Sequence, residues 1–365
     1  MNYSNTGGDD AAGFEIINTI NCWVKGVRII YTQRYRHFDF LVANSMFTTI
    51  RSNYIYDTYF IPIASYPYEA NNVSSMLFEN NVLQGPSGAL VTDGPYSNSV
   101  FSYNFTPGHY GPGMILHGAG EEMDLYEGNV TKGFWTDITH GRHALQTVFR
   151  NALIGNRYDP GGCSICNPIA IEAGARFYNV IGNVMGDASV FNSYQVSQAY
   201  SGNSIYQLGW QGNASGSGAP PSDPHVLRTL FRWGNWNQVT STADNTNGDQ
   251  TGTRWVATEV PSGIPNFPNP VPSTQTLPAS LYLSAKPTWW PAAKPWPAIG
   301  PDVSGGNITN MGGHVYTNPA TDCYFGMGGQ ANGSGGPLSF NAATCYGNSS
   351  GPKLPAAPTN LRIIP

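Results

Sequence analysis

Glu69, Asp93, His117, Asp137 and His140 recur along the chain at intervals that a repeating fold would turn into neighbours. Glu69 lies 12 residues before Asn81, Asp93 lies 11 before Asn104, and His117 lies 12 before Asn129. Asp137 and His140 lie 14 and 11 before Asn151, and Asp39, 14 before Asn53, extends the series. In a chain with 22 acidic residues and 7 histidines, chance is a poor account of that spacing. Carboxylates held roughly 5 Å apart on adjacent strands repel unless one is protonated, paired or bridged by a cation. Their pKa values then separate, which is what general acid–base chemistry uses. On this reading Asp137 or His140 is the base, and His117 or Glu69 the acid. Arg142 or Arg150 steadies a developing charge. Glu121, Glu122, Asp124 and Glu127 add acidity beside His117. The plainer alternative is a turn aspartate bonding its own backbone and a histidine satisfied by a neighbour.

What would stack these residues is a repeat. One unit, an apolar pair, one or two variable residues and then Asn, recurs with its asparagine at 53, 81, 104, 129, 151, 179 and 235. The gaps are 28, 23, 25, 22, 28 and 56, and Cys22-Trp23-Val24-Lys25-Gly26-Val27 fits one step earlier, with Gly26 lying 27 before Asn53. The runs are short, rich in Val, Ile, Phe and Tyr, and closed by turn residues, so they read as strands. Helical periodicity is nearly absent, and the regular leucines of a leucine-rich repeat are missing. The period therefore predicts an all-β, right-handed parallel β-helix of about eight coils, each with about three short strands. Asn at the turn is expected to take the left-handed conformation and to bond the same amide one coil above and below.

Composition agrees. Charged residues are only 11% of the 365, against about 25% in typical domains, while aromatics reach 13%. A net charge of −5 argues against a nucleic-acid partner. No run approaches the 18 or so apolar residues of a membrane-spanning helix, so no membrane insertion is expected. Met1-Asn2-Tyr3-Ser4 has no signal-peptide pattern, and the chain reads as a piece of a longer secreted precursor. Cys323 and Cys345 lie 22 apart in a Gly-rich tail that a disulfide would staple. Cys163 and Cys166 suit a short-loop disulfide, free thiols or a metal site, and Cys22 a buried small hydrophobe.

Three segments follow. Residues 1–255 carry the β-helix, with 190–225 breaking register. Residues 256–350 are rich in Pro, Trp and then Gly; proline at this density excludes central strands, so the segment is expected to lie along the helix flank or cover its last coil. Residues 351–365 read as a linker towards a further domain. Phe60, Tyr66, Tyr68, Tyr96 and Tyr110 are candidate sugar-stacking surfaces. Phe101, Tyr126 and Phe149 suit internal stacking, and Trp289, Trp290 and Trp296 suit packing anchors. Glu127 and Arg150 could equally pair across adjacent coils.

The Phe-x-x-Asn units, the turn Thr136-Asp137-Ile138-Thr139-His140-Gly141 and the strand Phe231-Arg232-Trp233-Gly234-Asn235 resemble secreted bacterial β-helix proteins of the pectate-lyase-like superfamily. So do Ala279-Ser280-Leu281-Tyr282-Leu283, Trp296-Pro297-Ala298-Ile299-Gly300-Pro301-Asp302 and Asp322-Cys323-Tyr324 in the tail. The resemblance implies a carbohydrate-active enzyme on an extracellular, acidic polysaccharide, a lyase often using Ca²⁺ or a hydrolase using several Asp. Gly8-Asp9-Asp10 and His140-Gly141 are similar to hydrolase elements but lie about five coils apart, with no Arg-Ile-Lys following, so that catalytic set is not carried over. For a lyase the basic residues at hand are Arg142, Arg150 and Lys132. The competing expectation is a non-catalytic glycan-binding or adhesin-like surface module.

Overall fold

Short strands one coil apart pair in parallel throughout, and the chain winds as a parallel β-helix. The computed structural model describes residues 2–3, 14–31, 38–57, 66–85, 89–108, 111–155, 165–187, 189–212, 221–239, 251–264 and 270–347. One side is an eight-stranded sheet from Trp23–Lys25 to Phe231–Trp233, which gives the expected eight coils. A second side is an eleven-stranded sheet that includes Tyr66–Ser74, Leu90–Thr92, Met114–Leu116, Phe134–Thr136 and Ile169–Ile171. The third side is split into four- and five-stranded sheets bridged through Phe105. Thr251–Arg254 pairs antiparallel with Asn235–Gln238 and closes the stack.

The asparagine ladder exists, with one register correction. The backbone N–H and Nδ2 of Asn53 both donate to Asn81 Oδ1 at 3.0 Å. The same double contact, at 2.9–3.1 Å, runs from Asn81 to Asn104, Asn129, Asn151, Asn183 and Asn235. Asn183 is the member, not Asn179. Asn179 opens a strand opposite Thr147 and bonds its hydroxyl at 3.3 Å. Val27, one residue beyond Gly26, donates to Asn53 Oδ1 at the first step. The left-handed turn also falls one residue earlier than expected. Gly26, Ser52, Asn80, Tyr103, Gly128, Arg150, Gly182 and Gly234 take positive φ, each just ahead of its ladder position. The asparagine itself is thereby free to serve as the hydrogen-bonding post, and glycine fills four of the eight strained positions without steric cost.

Inside the coil, Phe40, Tyr68, Phe78, Tyr96, Phe101, Tyr126, Phe134 and Tyr178 form one buried stack; the rings of Phe101 and Tyr126 lie 4.9 Å apart and nearly parallel. Tyr68 and Tyr96 are therefore core residues and not sugar platforms. Phe149 points the other way, outward beside Arg150, whose guanidinium lies over its ring. Phe60 and Tyr110 lie outside the described residues. Cys22 is half-buried against the core and directly precedes the strand Trp23–Lys25, outside it.

Residues 270–347 do lie along the flank. They seal the third side, where Tyr54, Val82, Tyr103, Phe105 and Val130 pack against Trp289, Trp290, Ile299, Met311 and Tyr324. The seal is pinned by polar anchors. Arg150 grips Asp302 through two contacts of 2.7 and 2.8 Å and donates to the carbonyls of Pro278 and Ile299. Glu127 accepts the Leu281 N–H at 2.8 Å and the Tyr103 hydroxyl at 3.1 Å, so it does not pair with Arg150. Near the first coils Arg28 donates to the Leu338 carbonyl at 2.7 Å. The Cys323–Cys345 disulfide joins the helices Pro319–Gly326 and Ala342–Tyr346, as the spacing suggested. Cys166 is disulfide-bonded, and Cys163 lies outside the described residues. The tail 351–365 lies outside them too. Among the described residues no helix is long and apolar enough to cross a membrane.

Candidate active site on the open sheet

The eleven-stranded sheet turns Phe40, Tyr68, Leu90, Met114, Leu116 and Ile169 inward, so alternate residues face out. Ala70, Thr92, Leu116, Thr136 and Ile171 lie in register. The next position therefore reads Asn71, Asp93, His117, Asp137 and Glu172 on successive coils. Backbone bonds continue the register into that row, from Asp93 N to Ala70 O, His117 N to Thr92 O and Asp137 N to Leu116 O. Glu69 lies two residues before Asn71, on the same outer face. Asp39 pairs with Pro67 and falls outside the row, and its side chain is not described.

Just past the row the corner lengthens coil by coil. Four residues lead from Ala70 to Ser74, five from Thr92 to Ser97, and six from Leu116 to Glu122, although each pair of ends is aligned with the last. Eight lead from Thr136 to Ala144 before the corner shortens to five from Ile171 to Arg176. Extra residues with fixed ends must bulge outward, a device that re-aims side chains beside active sites. Here the bulge carries His140 over the row. Its ring meets that of His117 edge-on at 4.5 Å. Close packing of the corners depends on glycine at 118, where any side chain would strike the backbone of Asp93 and Gly94.

His117 Nδ1 and Asp137 Oδ2 are 2.5 Å apart, with the carboxylate buried and the imidazole partly exposed. Asp137 Oδ1 accepts the Thr139 N–H at 2.9 Å, which fixes the carboxyl plane. Burial alone would lower the His117 pKa, but the bond to Asp137 and the charges of Asp137, Asp93 and Glu121 raise it above its ordinary value. That pairing occupies Nδ1 and leaves Nε2 as the nitrogen available for proton transfer. Glu69 behaves in the opposite sense for a carboxyl. Burial and the neighbouring Asp93 push its pKa up to about 8, with His117 offsetting part of the rise, so it is largely protonated at neutral pH. Tyr66 packs its ring 6.3 Å from His117 and, buried near Asp137, Glu69 and Asp93, holds its phenol proton firmly. One base and one neutral carboxylic acid thus share one face.

Other expected residues separate from this group. Arg150 lies on the far side under the C-terminal segment, with its donors spent on Asp302 and backbone carbonyls, so it does not serve the site. Arg142 is exposed on the bulge and lies against Gly174. With Arg176, Asp223 and Gly174 it lines a cleft of about 360 Å³ one coil beyond Asp137. Asp124 is buried in a short polar ladder, accepting from Ser99 N at 3.0 Å and Gln146 Nε2 at 3.1 Å.

Glu172 and the pair Glu121–His143 were not among the expected site residues. Glu172 accepts from Trp135 Nε1 and Ile138 N, each at 3.0 Å, and so holds the foot of the bulge. Among the described residues no three His, Cys, Asp or Glu side chains converge as metal ligands. Asp137 is partnered by His117 and the Thr139 N–H, and Glu172 by Trp135 and the Ile138 N–H. No protein-family model, curated protein or solved structure matches the chain.

Proposed function

We propose that the chain is a secreted carbohydrate-active enzyme, similar in kind to the pectate-lyase-like β-helix proteins, that cleaves an acidic extracellular polysaccharide by acid–base chemistry. The observation that carries this reading is the juxtaposition of a neutral, buried Glu69 with the Asp137-backed His117 on one outer face. Burial makes Glu69 a neutral proton donor, while the carboxylate behind His117 strengthens that imidazole as a proton acceptor. His117 Nε2 takes the proton, from the sugar ring carbon in an elimination or from water in a hydrolysis. Glu69 gives its proton to the leaving oxygen. Arg142, on the bulge, suits the anionic group of an acidic sugar, whereas Arg176 at the next coil is already paired with Asp223 at 2.8 Å. From Asp93 to Glu172 the row spans roughly 14 Å at the strand spacing, with Asp93 and His117 reaching solvent and Asp137 and Glu172 buried. Secretion is in keeping with the disulfide and the low charge content.

A panel of acidic and neutral polymers, assayed with and without Ca²⁺ for ultraviolet-absorbing unsaturated ends and for reducing ends, tests the proposal. Unsaturated ends identify elimination, and reducing ends without them identify hydrolysis. Cleavage should fall at least about 100-fold in both His117→Ala and Glu69→Gln. Full activity in either variant would move the chemistry elsewhere. Binding without cleavage of any polymer would instead make the face a glycan-binding surface.

A further inference from the structure

We propose that Glu121 and His143 are positioning residues that lock His117 and Asp137 into contact, tying together the two corners that carry them; the inference rests on the catalytic reading of that pair. Both side chains are buried, at 1% and 2% exposure, so neither can meet a substrate directly. Glu121 follows His117 by four residues and His143 follows Asp137 by six. His143 Nε2 donates to the Asp137 carbonyl at 2.6 Å. Its Nδ1 lies 3.1 Å from Glu121 Oε2, a close charge contact rather than an aligned hydrogen bond. The other oxygen of Glu121 accepts the N–H of Gly118, next to His117, at 3.3 Å. A continuous path therefore runs from the backbone beside His117, through Glu121 and His143, to the backbone of Asp137.

The bulge explains why such a path is needed. Thr136 and Ala144 pair with the neighbouring coil, but the residues between them exceed the corner below by two, so ladder bonds cannot set their position. Asp137 is steered by Glu172 from one side, through Ile138, and by His143 from the other. Burying an imidazole against a carboxylate is costly, and such a pair makes a poor stabiliser compared with apolar packing. Its value lies in geometry, because a dyad held to a fraction of an ångström transfers protons where a loose one does not. Burial raises the Glu121 pKa to about 7 even with His143 offsetting part of the rise, and Glu121 in turn raises that of His143.

Electrostatics and positioning predict opposite signs for one measurement. The groups facing His117 are Asp137, Asp93, Glu121 and Glu69, with the rings of Tyr66 and His140. Removing a nearby imidazolium by His143→Ala should, by charge alone, raise the His117 pKa. If His143 positions Asp137, the contact with His117 loosens and the His117 pKa falls, by about one unit if most of the carboxylate's influence is lost. Titrating the ring nitrogens of His117 by NMR in the full chain reads this without any substrate. In His143→Gln, whose amide can still donate to the Asp137 carbonyl, the His117 pKa should stay within about 0.3 unit of wild type. A rise or no change in His143→Ala overturns the inference; should that variant not fold, a fall of a full unit in folded His143→Gln overturns it. On a cleaved polymer, His143→Ala should lower kcat with little change in KM, because the residue touches no substrate. A downward NMR shift in a protein that cuts nothing keeps the positioning role and removes the catalytic one.

Discussion

Replacing Asn104 by alanine should damage this protein far more than replacing Asn179, although both sit in similar sequence. The Asn104 side chain accepts from Asn81 N at 2.9 Å and Asn81 Nδ2 at 3.1 Å, and donates to Phe78 O at 3.1 Å and Asn129 Oδ1 at 3.0 Å. Alanine deletes all four bonds in a fully buried turn. At a net ~1 kcal/mol each, they sum to ~4 kcal/mol, and the stranded Asn81 N–H adds ~1–3 kcal/mol. An expected loss of about 5–7 kcal/mol approaches the entire stability of many domains. Asn179 makes one half-buried bond of 3.3 Å to Thr147, and its loss should cost under ~1 kcal/mol. Guanidinium unfolding followed by circular dichroism compares the two, with the slope of the transition checked for constancy. Asn104→Ala and Asn179→Ala unfolding at the same midpoint would refute the ladder as the fold's spine.

Stability should also fall as pH rises from about 5 to 8. Glu69, Glu121 and Asp124 are raised to about 8, 7 and 8, so the folded state holds protons that the unfolded state releases above its ordinary carboxyl range. Each such group removes up to ~1.4 kcal/mol per pH unit until its folded pKa is passed. Thermal scans across that range should show a declining midpoint, shallower in Asp124→Asn, and a rising midpoint would contradict the burial of these acids. Breaking the staple in Cys323→Ser/Cys345→Ser, a separation of 22 residues, should cost about 3 kcal/mol on chain-entropy grounds. It should expose the C-terminal segment to limited proteolysis before the coils unfold; simultaneous loss of both regions would show that they form one cooperative unit.

The coil count, the ladder and the covering C-terminal segment were legible because each rests on local pattern: short β-rich runs, a recurring asparagine and dense proline. The one misplaced register shows what pattern alone misses. Phe177-Tyr178-Asn179 satisfies the repeat, but Gly182-Asn183 matches Gly128-Asn129 and Gly234-Asn235, where the glycine supplies the left-handed turn. Counted from Asn183, Glu172 lies 11 residues back, the same interval as Asp93 from Asn104. A single shift of register thus hid a member of the row. Asp93, His117 and Asp137 fall in one row because outer-face alternation and coil spacing are sequence properties, whereas Glu69 lies two residues off it and His140 reaches it only through the bulge. Arg150 does not join them, since its partner Asp302 lies 152 residues away and no repeat encodes that contact. Glu121 is legible as an acid beside His117, but its buried pairing with His143 is not, because it follows from how far each corner bulges.

The lengthening corner separates two jobs that most folds entangle. Strand register is carried by the ladder asparagines, while corner length varies from four residues to eight between aligned ends. Residues can therefore be inserted or deleted between Thr136 and Ala144 without sliding a strand, and each change re-aims His140 and Arg142 over an unmoved His117. A lineage built on this frame could retune what it grips by editing a single seam, leaving its skeleton untouched.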